Sequence, residues 1–260
     1  MIIVNSRAGQ RSNRLITIAH AMGTAIERGE TLWLTAFGRY AGDYPRLVVS
    51  GKCRVLVKES FFWEIVRLWL SVVNRVWRGF KINIPGVITI VSDFTYRDEG
   101  NRRKHAEEIR HACKSVNVRQ KKYKEHEDEI WVGVHVRRGD YSEWEGGKYF
   151  YGDEVYVRVV GELLECLNVN CLIKKVRFML FSNEDVSGLA KILHELHILY
   201  GYSPNNTDVQ DQHLMSECDY LIGPPSTFTM WASFMGKVPL LQVERPDQSI
   251  LLCDFKCDWK

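Results

Sequence analysis

Ile130-Trp131-Val132-Gly133-Val134-His135-Val136-Arg137-Arg138-Gly139-Asp140-Tyr141 joins a strand-like run to a cluster of charge. Ile130 to Val136 is a short apolar run rich in β-branched residues, the pattern of a strand buried on both faces of a parallel sheet. His135 and the two arginines follow at its carboxyl end, where open α/β sheets bind their ligands. Adjacent guanidinium groups are costly there without anionic partners. Their planar forks match phosphate oxygens and stay charged at every working pH. Asp140 can hold one arginine and leave the other for a ligand phosphate. The alternative is a plain salt-bridged turn.

Downstream of this strand, apolar and polar residues alternate between two periods. Asp153 to Leu167 reads as a helix, Val176 to Ser182 as a strand and Val186 to His197 as a helix. Tyr220 to Gly223 is a strand, Thr227 to Met235 a helix, and Val238 to Val243 a final strand. Strands alternating with helices of this length predict a parallel sheet covered on both faces. The chain opens the same way, with a strand at Met1 to Val4 and a polar loop from Asn5 to Asn13. A helix then carries Leu15, Ile18, Ala19, Met22 and Ile26, with a stop at Gly29 and a strand from Thr31 to Thr35. Arg97 to Glu129 is dense in charge and reads as a solvated helix and linker. The predicted domains are therefore residues 1–125 and 126–260, an α/β chain of two Rossmann-like halves facing a cleft.

Other segments narrow the function. The basic run Arg102, Arg103, Lys104, Lys121, Lys122 and Lys124 is interrupted by Glu107 and Glu108 and cancelled by Glu125, Glu127, Asp128 and Glu129. With a formal charge of only +3 and few aromatics in that stretch, nucleic acid is not the expected partner. Phe61 to Phe80 interleaves Phe61, Phe62, Trp63, Ile65, Val66, Leu68, Trp69, Leu70, Val72, Val73, Val76 and Trp77 with Glu64, Arg67, Arg75 and Arg78. That composition suits a helix at a bilayer interface or one packed on the domain. The seven cysteines contain no C-x-x-C pair, and most are expected to be reduced and buried. The start Met1-Ile2-Ile3-Val4 has no basic n-region, and no uninterrupted apolar window of about 18 residues occurs. The expected location is the cytoplasm, in solution or peripheral to the inner face of the membrane.

Two more constellations carry chemistry. Gly223-Pro224-Pro225-Ser226-Thr227-Phe228-Thr229-Met230-Trp231-Ala232 places Ser226 or Thr227 as the cap of a helix whose free N–H groups favour a diphosphate. In Asp208-Val209-Gln210-Asp211-Gln212-His213-Leu214-Met215-Ser216-Glu217-Cys218, Asp208 or Asp211 can accept hydrogen bonds from guanine N1–H and its 2-amino group. Each also has a plain reading, a capped helix and an acidic helix start.

Taken in order, H-V-R-R-G-D-Y at His135–Tyr141, F-M-L-F-S-N-E-D at Phe178–Asp185, D-V-Q-D-Q-H-L-M-S-E-C at Asp208–Cys218 and S-T-F-T-M-W-A at Ser226–Ala232 resemble the α-1,2-fucosyltransferase family, glycosyltransferase family 11. They are also similar to the wider superfamily of α-1,6- and protein O-fucosyltransferases. The resemblance spans Ile130 to Gly236. It implies a GT-B fold, inversion at the sugar and GDP-β-L-fucose as donor, with no metal and no other cofactor.

By matched position, Arg137 and Arg138 hold the β-phosphate and His135 lies against the nucleoside. Asp208 or Asp211 reads guanine, and Ser226, Thr227 and Phe228 line ribose and diphosphate. Asn13 and Leu15 match the family's first loop, which here has fewer glycines and extra arginines. A GDP-sugar transferase of different sugar or linkage, or a binding protein whose cleft is blocked by Arg7, Arg11 and Arg14, fits that departure. No Asp-x-Asp pair occurs for a metal-held diphosphate. Glu145 or Asp140, with Glu143 nearby, is the expected base for an acceptor hydroxyl. The expected acceptor is a galactose-containing oligosaccharide or lipid-linked glycan of surface-glycan assembly, its sugar rings meeting Trp144, Tyr149, Phe150 or Tyr151.

Overall fold

The computed structural model describes residues 1–6, 9–49, 53–55, 65–66, 68–69, 72–73, 76, 89–91, 95–115, 128–170, 175–202 and 205–257. The chain divides into two compact units, Met1–Asn117 and Val118–Trp259. Each is built on its own sheet, and every strand pairing within the two sheets is parallel.

In the N-terminal unit, β1 (Ile2–Val4) pairs with both β2 (Leu32–Leu34) and β4 (Thr89–Val91), and β3 (Cys53–Val55) extends the order to β3-β2-β1-β4. Between β1 and β2 runs α1 (Arg11–Glu27), and α2 (Pro45–Val49) precedes β3. The expected stop holds at Gly29, whose φ of +63° suits a residue without Cβ and whose N–H bonds Ile26 O.

The charge-dense segment is helical as expected, but it is not solvated throughout. Asp98 caps α3 (Glu99–Lys104) by accepting from Asn101 N–H at 3.1 Å, and α4 (Ala106–Ala112) follows. Arg102 and Arg110 are buried. The reason is close helix packing: a Cβ on Gly23 of α1 would lie 2.7 Å from Arg102 N, so the backbone of α3 sits directly on α1. Arg102 keeps its charge partnered there by donating from Nε to Glu99 at 3.0 Å. Residues 116–127 lie outside the described residues.

In the C-terminal unit the order is β7-β6-β5-β8-β9, with β5 (Glu129–Val136), β6 (Lys175–Ser182), β7 (Tyr200–Tyr202), β8 (Tyr220–Gly223) and β9 (Leu240–Gln242). Every residue of β5 is buried, as its unbroken apolar run predicts. Glu129 at its start is tolerated because Arg177 Nε and Nη2 each donate to it at 3.0 Å and the Trp131 indole donates at 3.1 Å.

Strand alternation then sorts the two faces. Ile130, Val132, Val134 and Val136 pack against α5 (Asp153–Asn170) and α6 (Ser187–Glu195) through Val159, Leu163, Leu189 and Leu193. Trp131 faces the opposite layer with Met179, Phe181 and Leu221, covered by α7 (Asp208–Met215) and α8 (Thr227–Gly236). The short edge strand β7 and α7 add to the predicted elements. α7 is the acidic segment whose plain reading was a helix start, and it has a full Thr207–Gln210 capping box.

Of the Phe61–Phe80 segment, the seven described residues are helical, and Ile65, Leu68, Trp69, Val72 and Val76 expose large apolar side chains. Its remaining residues lie outside the described ones. Among the described residues, no helix is long and apolar enough to cross a membrane. Cys113 and Cys218 are buried thiols, whereas Cys253 is exposed.

Candidate functional site

Strand order in the C-terminal unit reverses between β5 and β8. The chain steps outward through β6 and β7 on one side and through β9 on the other. At such a switch point the loops leave in opposite directions and open a crevice at the carboxyl ends. The two loops here are Arg137–Tyr141 after β5 and Pro224–Ser226 after β8. Gly223 permits their close approach, since a Cβ on it would stand 2.7 Å from His135 O. Alternation along β5 sends His135 to the face of Trp131, where its ring stacks on Phe228 of α8 at 5.5 Å.

His135 is 3% exposed, and its Nδ1 is buried without a hydrogen-bond partner among the described residues. Burial, helped by the Arg137 charge, pushes its pKa down to about 3. It is therefore neutral throughout the physiological range and too weakly basic to take a proton from a hydroxyl.

The two arginines have different surroundings. Arg137 pairs with Asp140 at 2.7 Å and lies over the Tyr141 ring at 5.2 Å. Asp140 is exposed, so this pair can open to an incoming anion. Arg138 is paired instead with Asp153, the first residue of α5. Its Nε is buried and has no acceptor among the described residues. A buried N–H on a cation, left without an acceptor, is a free-energy cost that a phosphate oxygen would relieve.

Asn183 fixes the backbone here, accepting from Arg138 N–H at 3.0 Å and donating to Arg138 O at 3.2 Å. Gly139 between the motifs has φ +62°, and a Cβ would meet Asn183 Nδ2 at 2.9 Å. Asn183 thus ties the Phe178–Asp185 segment to the arginine motif.

After β8, Ser226 caps α8 by accepting from Phe228 N–H at 3.2 Å. Thr227 and Phe228 occupy the first turn, half-buried. Tyr141 OH donates to Pro225 O at 2.6 Å and ties this loop to the arginine loop. Gln212 Nε2 donates to Phe228 O at 3.1 Å, which ties α7 to the same turn.

Asp208 is exposed, whereas Asp211 is half-buried and accepts from Asn206 Nδ2 at 2.8 Å. Desolvation raises Asp211 to about 6, against the Asn206 hydrogen bond that lowers it. Glu145 is exposed beside Trp144 with φ +49°.

His135, Arg137, Arg138, Asp140, Ser226, Thr227 and Phe228 thus lie together on the β5 and β8 loops and the first turn of α8, with Glu145 on the adjoining turn and Asp211 on the neighbouring α7. Asn13 belongs to the N-terminal unit, half-buried in the first turn of α1 and accepting from Thr17 Oγ1 through its carbonyl. Arg11 and Arg14 of that turn are buried, and Arg14 donates to Ala36 O at 2.6 Å. Arg7 lies outside the described residues.

Asp153, Asn183, Asn206 and Tyr141 were not anticipated. The signal for Asp153 was the arginine pair itself, which needs a second carboxylate beyond Asp140. Among the described residues no group of three or more His, Cys, Asp or Glu side chains converges as metal ligands.

Solved structures share this architecture. NodZ, an α-1,6-fucosyltransferase from Bradyrhizobium whose crystals were soaked with GDP-fucose, matches at 15% identity over 93% of this chain and 94% of that one, with a TM-score of 0.55. POFUT1 in complex with GDP matches at 10% identity over 91% and 94%, TM-score 0.54. Arabidopsis thaliana FUT1 in complex with GDP matches at 15% over 95% of this chain and 71% of that one, TM-score 0.60. At such identities the likeness shows the fold. No curated protein matches the chain by sequence. The model of glycosyl transferase family 11 matches residues 89–259, which takes in every motif of the C-terminal site. The chain belongs to glycosyl transferase family 11, the fucosyltransferase family that its motifs resemble.

Proposed function

We propose that the chain transfers L-fucose from GDP-β-L-fucose, with inversion, to a galactose hydroxyl, forming an α-1,2 linkage. The carrying observation is the Arg137–Arg138 pair at the β5–β8 switch point, each arginine held by one carboxylate and Arg138 Nε buried without an acceptor. In the reaction the acceptor oxygen bonds to the anomeric carbon as the bond to the β-phosphate oxygen breaks. Negative charge grows on the departing GDP, and Arg137, Arg138 and the N–H groups of the first turn of α8 neutralise it without a metal. Glu145 accepts the acceptor proton, while Asp140 keeps Arg137 in place. Asp211 reads guanine, for a desolvated carboxylate gains most from two N–H donors. The two units then serve as the halves of a GT-B enzyme, with Asn13 on the acceptor side.

GDP release from GDP-fucose is the test, measured in EDTA with lactose, N-acetyllactosamine or a galactosyl-β-1,3-GalNAc acceptor. Acceptor-dependent release that persists in EDTA and is lost in Arg137→Ala is expected. Release only when Mn²⁺ is restored would overturn the metal-free mechanism. GDP binding without release from any acceptor would overturn the donor or linkage.

We infer further that the enzyme works in the cytoplasm against an anionic bilayer, on a lipid-linked glycan of surface-glycan synthesis. Exposed Ile65, Leu68, Trp69, Val72 and Val76 recur at the three- and four-residue spacing of one helix face, in a segment whose charged residues include Arg67, Arg75 and Arg78. Such a face inserts shallowly while arginines meet anionic headgroups. Flotation with phosphatidylglycerol-containing vesicles is expected, with loss in Trp69→Glu; a chain that stays at the bottom of the gradient would refute the surface.

A further inference from the structure

Beside the arginine pair lies a small aromatic stack that the donor chemistry does not use. Two 3-10 turns follow β5, at Gly139–Ser142 and Trp144–Gly147. Tyr141 and Tyr149 are each 8% exposed, and the Trp144 indole lies across both. Its centroid is 4.7 Å from the Tyr141 ring and 5.2 Å from the Tyr149 ring. Trp144 itself is 41% exposed. The indole is thus held on a firm base with much of its surface open to water.

The base is anchored from several directions. Arg137 lies over the Tyr141 ring, Tyr141 OH is bonded to Pro225 O in the loop before α8, and Lys148 Nζ donates to Tyr149 OH at 2.9 Å. Tyr151, once grouped with these aromatics, is buried, and its OH donates to Val243 O at 3.0 Å. It belongs to the core and is not available to a ligand.

The backbone after Trp144 is unusual. Glu145, Gly146 and Gly147 have φ of +49°, +70° and +79° in succession. The glycines adopt this freely, but the glutamate carries a steric cost that persists only where surroundings impose it, a pattern concentrated at ligand sites. The turn holds the indole and the Glu145 carboxylate on consecutive residues, a few positions from the arginine that neutralises leaving-group charge.

We propose that Trp144 is the stacking platform for the acceptor sugar, a pyranoside such as a β-galactoside that presents one apolar face of C–H bonds. This rests on the fucosyl-transfer reading of the site. An indole offers a large flat apolar surface at little conformational cost, and the polarised C–H bonds of a pyranose face lie against its electron-rich ring. The ring hydroxyls on the sugar's edge stay free for Glu145 and the donor. Trp144 is then a positioning residue that sets acceptor class and takes no proton.

Steady-state kinetics of Trp144→Ala and Trp144→Phe decide this, alongside saturation-transfer NMR of methyl β-galactoside on the GDP-loaded protein. In Trp144→Ala the KM for the galactoside is expected to rise at least tenfold while the KM for GDP-fucose stays within twofold. Trp144→Phe should fall between alanine and wild type. The NMR signal should appear on the galactoside C–H protons with wild type and vanish with Trp144→Ala. An unchanged galactoside KM, or equal rises for both substrates, would overturn the platform. If wild type transfers no fucose at all, the donor reading fails by itself, and the NMR arm still decides. A Trp144-dependent galactoside signal then supports the platform, and no signal on GDP-loaded wild type overturns it.

Discussion

Arg137 and Arg138 are neighbours in sequence with unequal surroundings, and the difference is testable. Arg138 is clamped by Asp153 on α5 and by Asn183 at its own backbone, with one buried N–H unserved. Arg137 pairs with the exposed Asp140 and lies over the Tyr141 ring. We expect Arg138→Ala to lower kcat/KM by about 10²–10³, the scale of one lost charge-stabilising donor. Arg138→Lys should fail to rescue it, since an ammonium cannot reproduce the fork.

Asp211 gives a pH signature. Its pKa is raised to about 6, so the ionised form disfavours folding at neutral pH, and that penalty fades as pH falls through 6. Binding runs the other way, because guanine donors need the carboxylate. GDP affinity should therefore weaken about tenfold between pH 7 and pH 5. In Asp211→Asn, calorimetry should show weak, flatter GDP binding, together with a higher melting temperature at pH 7.5. A variant binding GDP as tightly as wild type would remove Asp211 from base recognition. His135, at about 3, contributes no titration in this window.

At the level of elements, the site depends on β8 lying tightly beside β5 and on the start of α8. Gly223→Ala puts a methyl 2.7 Å from His135 O, so the strand ends must separate. Overpacking of this kind costs about 1–3 kcal/mol, and because both binding loops leave from these ends, GDP affinity should fall with stability in denaturant titrations. Ser226→Ala removes an N-cap worth about 0.5–2 kcal/mol. It also frees Phe228 N–H, so GDP binding should weaken less than in Arg138→Ala.

For the whole molecule, the two units have separate cores. Leu15 is fully buried in the first and Leu163 in the second. Each Leu→Ala change should cost about 2–5 kcal/mol. A ligand stabilises the state it binds. In scanning calorimetry GDP should therefore raise the transition that Leu163→Ala lowers and leave the one that Leu15→Ala lowers. A GDP shift confined to the Leu15→Ala transition would place the nucleotide in the N-terminal unit.

Much of this was legible without coordinates. Periodicity located β5, β6, β8, α5, α6 and α8, because strands buried on both faces and amphipathic helices leave different spacings of apolar residues. Arginines straight after a buried strand marked a ligand crevice, and four ordered motifs marked the family. Residue order therefore encoded local features: element type, the chemistry at strand ends, and the identity of the arginine pair. The tertiary structure alone decided which distant groups meet those residues. It assigned Asp153 to Arg138, placed Asn183 under the arginine backbone and set Asp211 against Asn206. It put Arg102 against α1 where a charge run suggested solvent, and it separated exposed Trp144 from buried Tyr151. Each of these depends on burial and on contacts between residues far apart in the chain, and local spacing carries no record of which surface a side chain will meet.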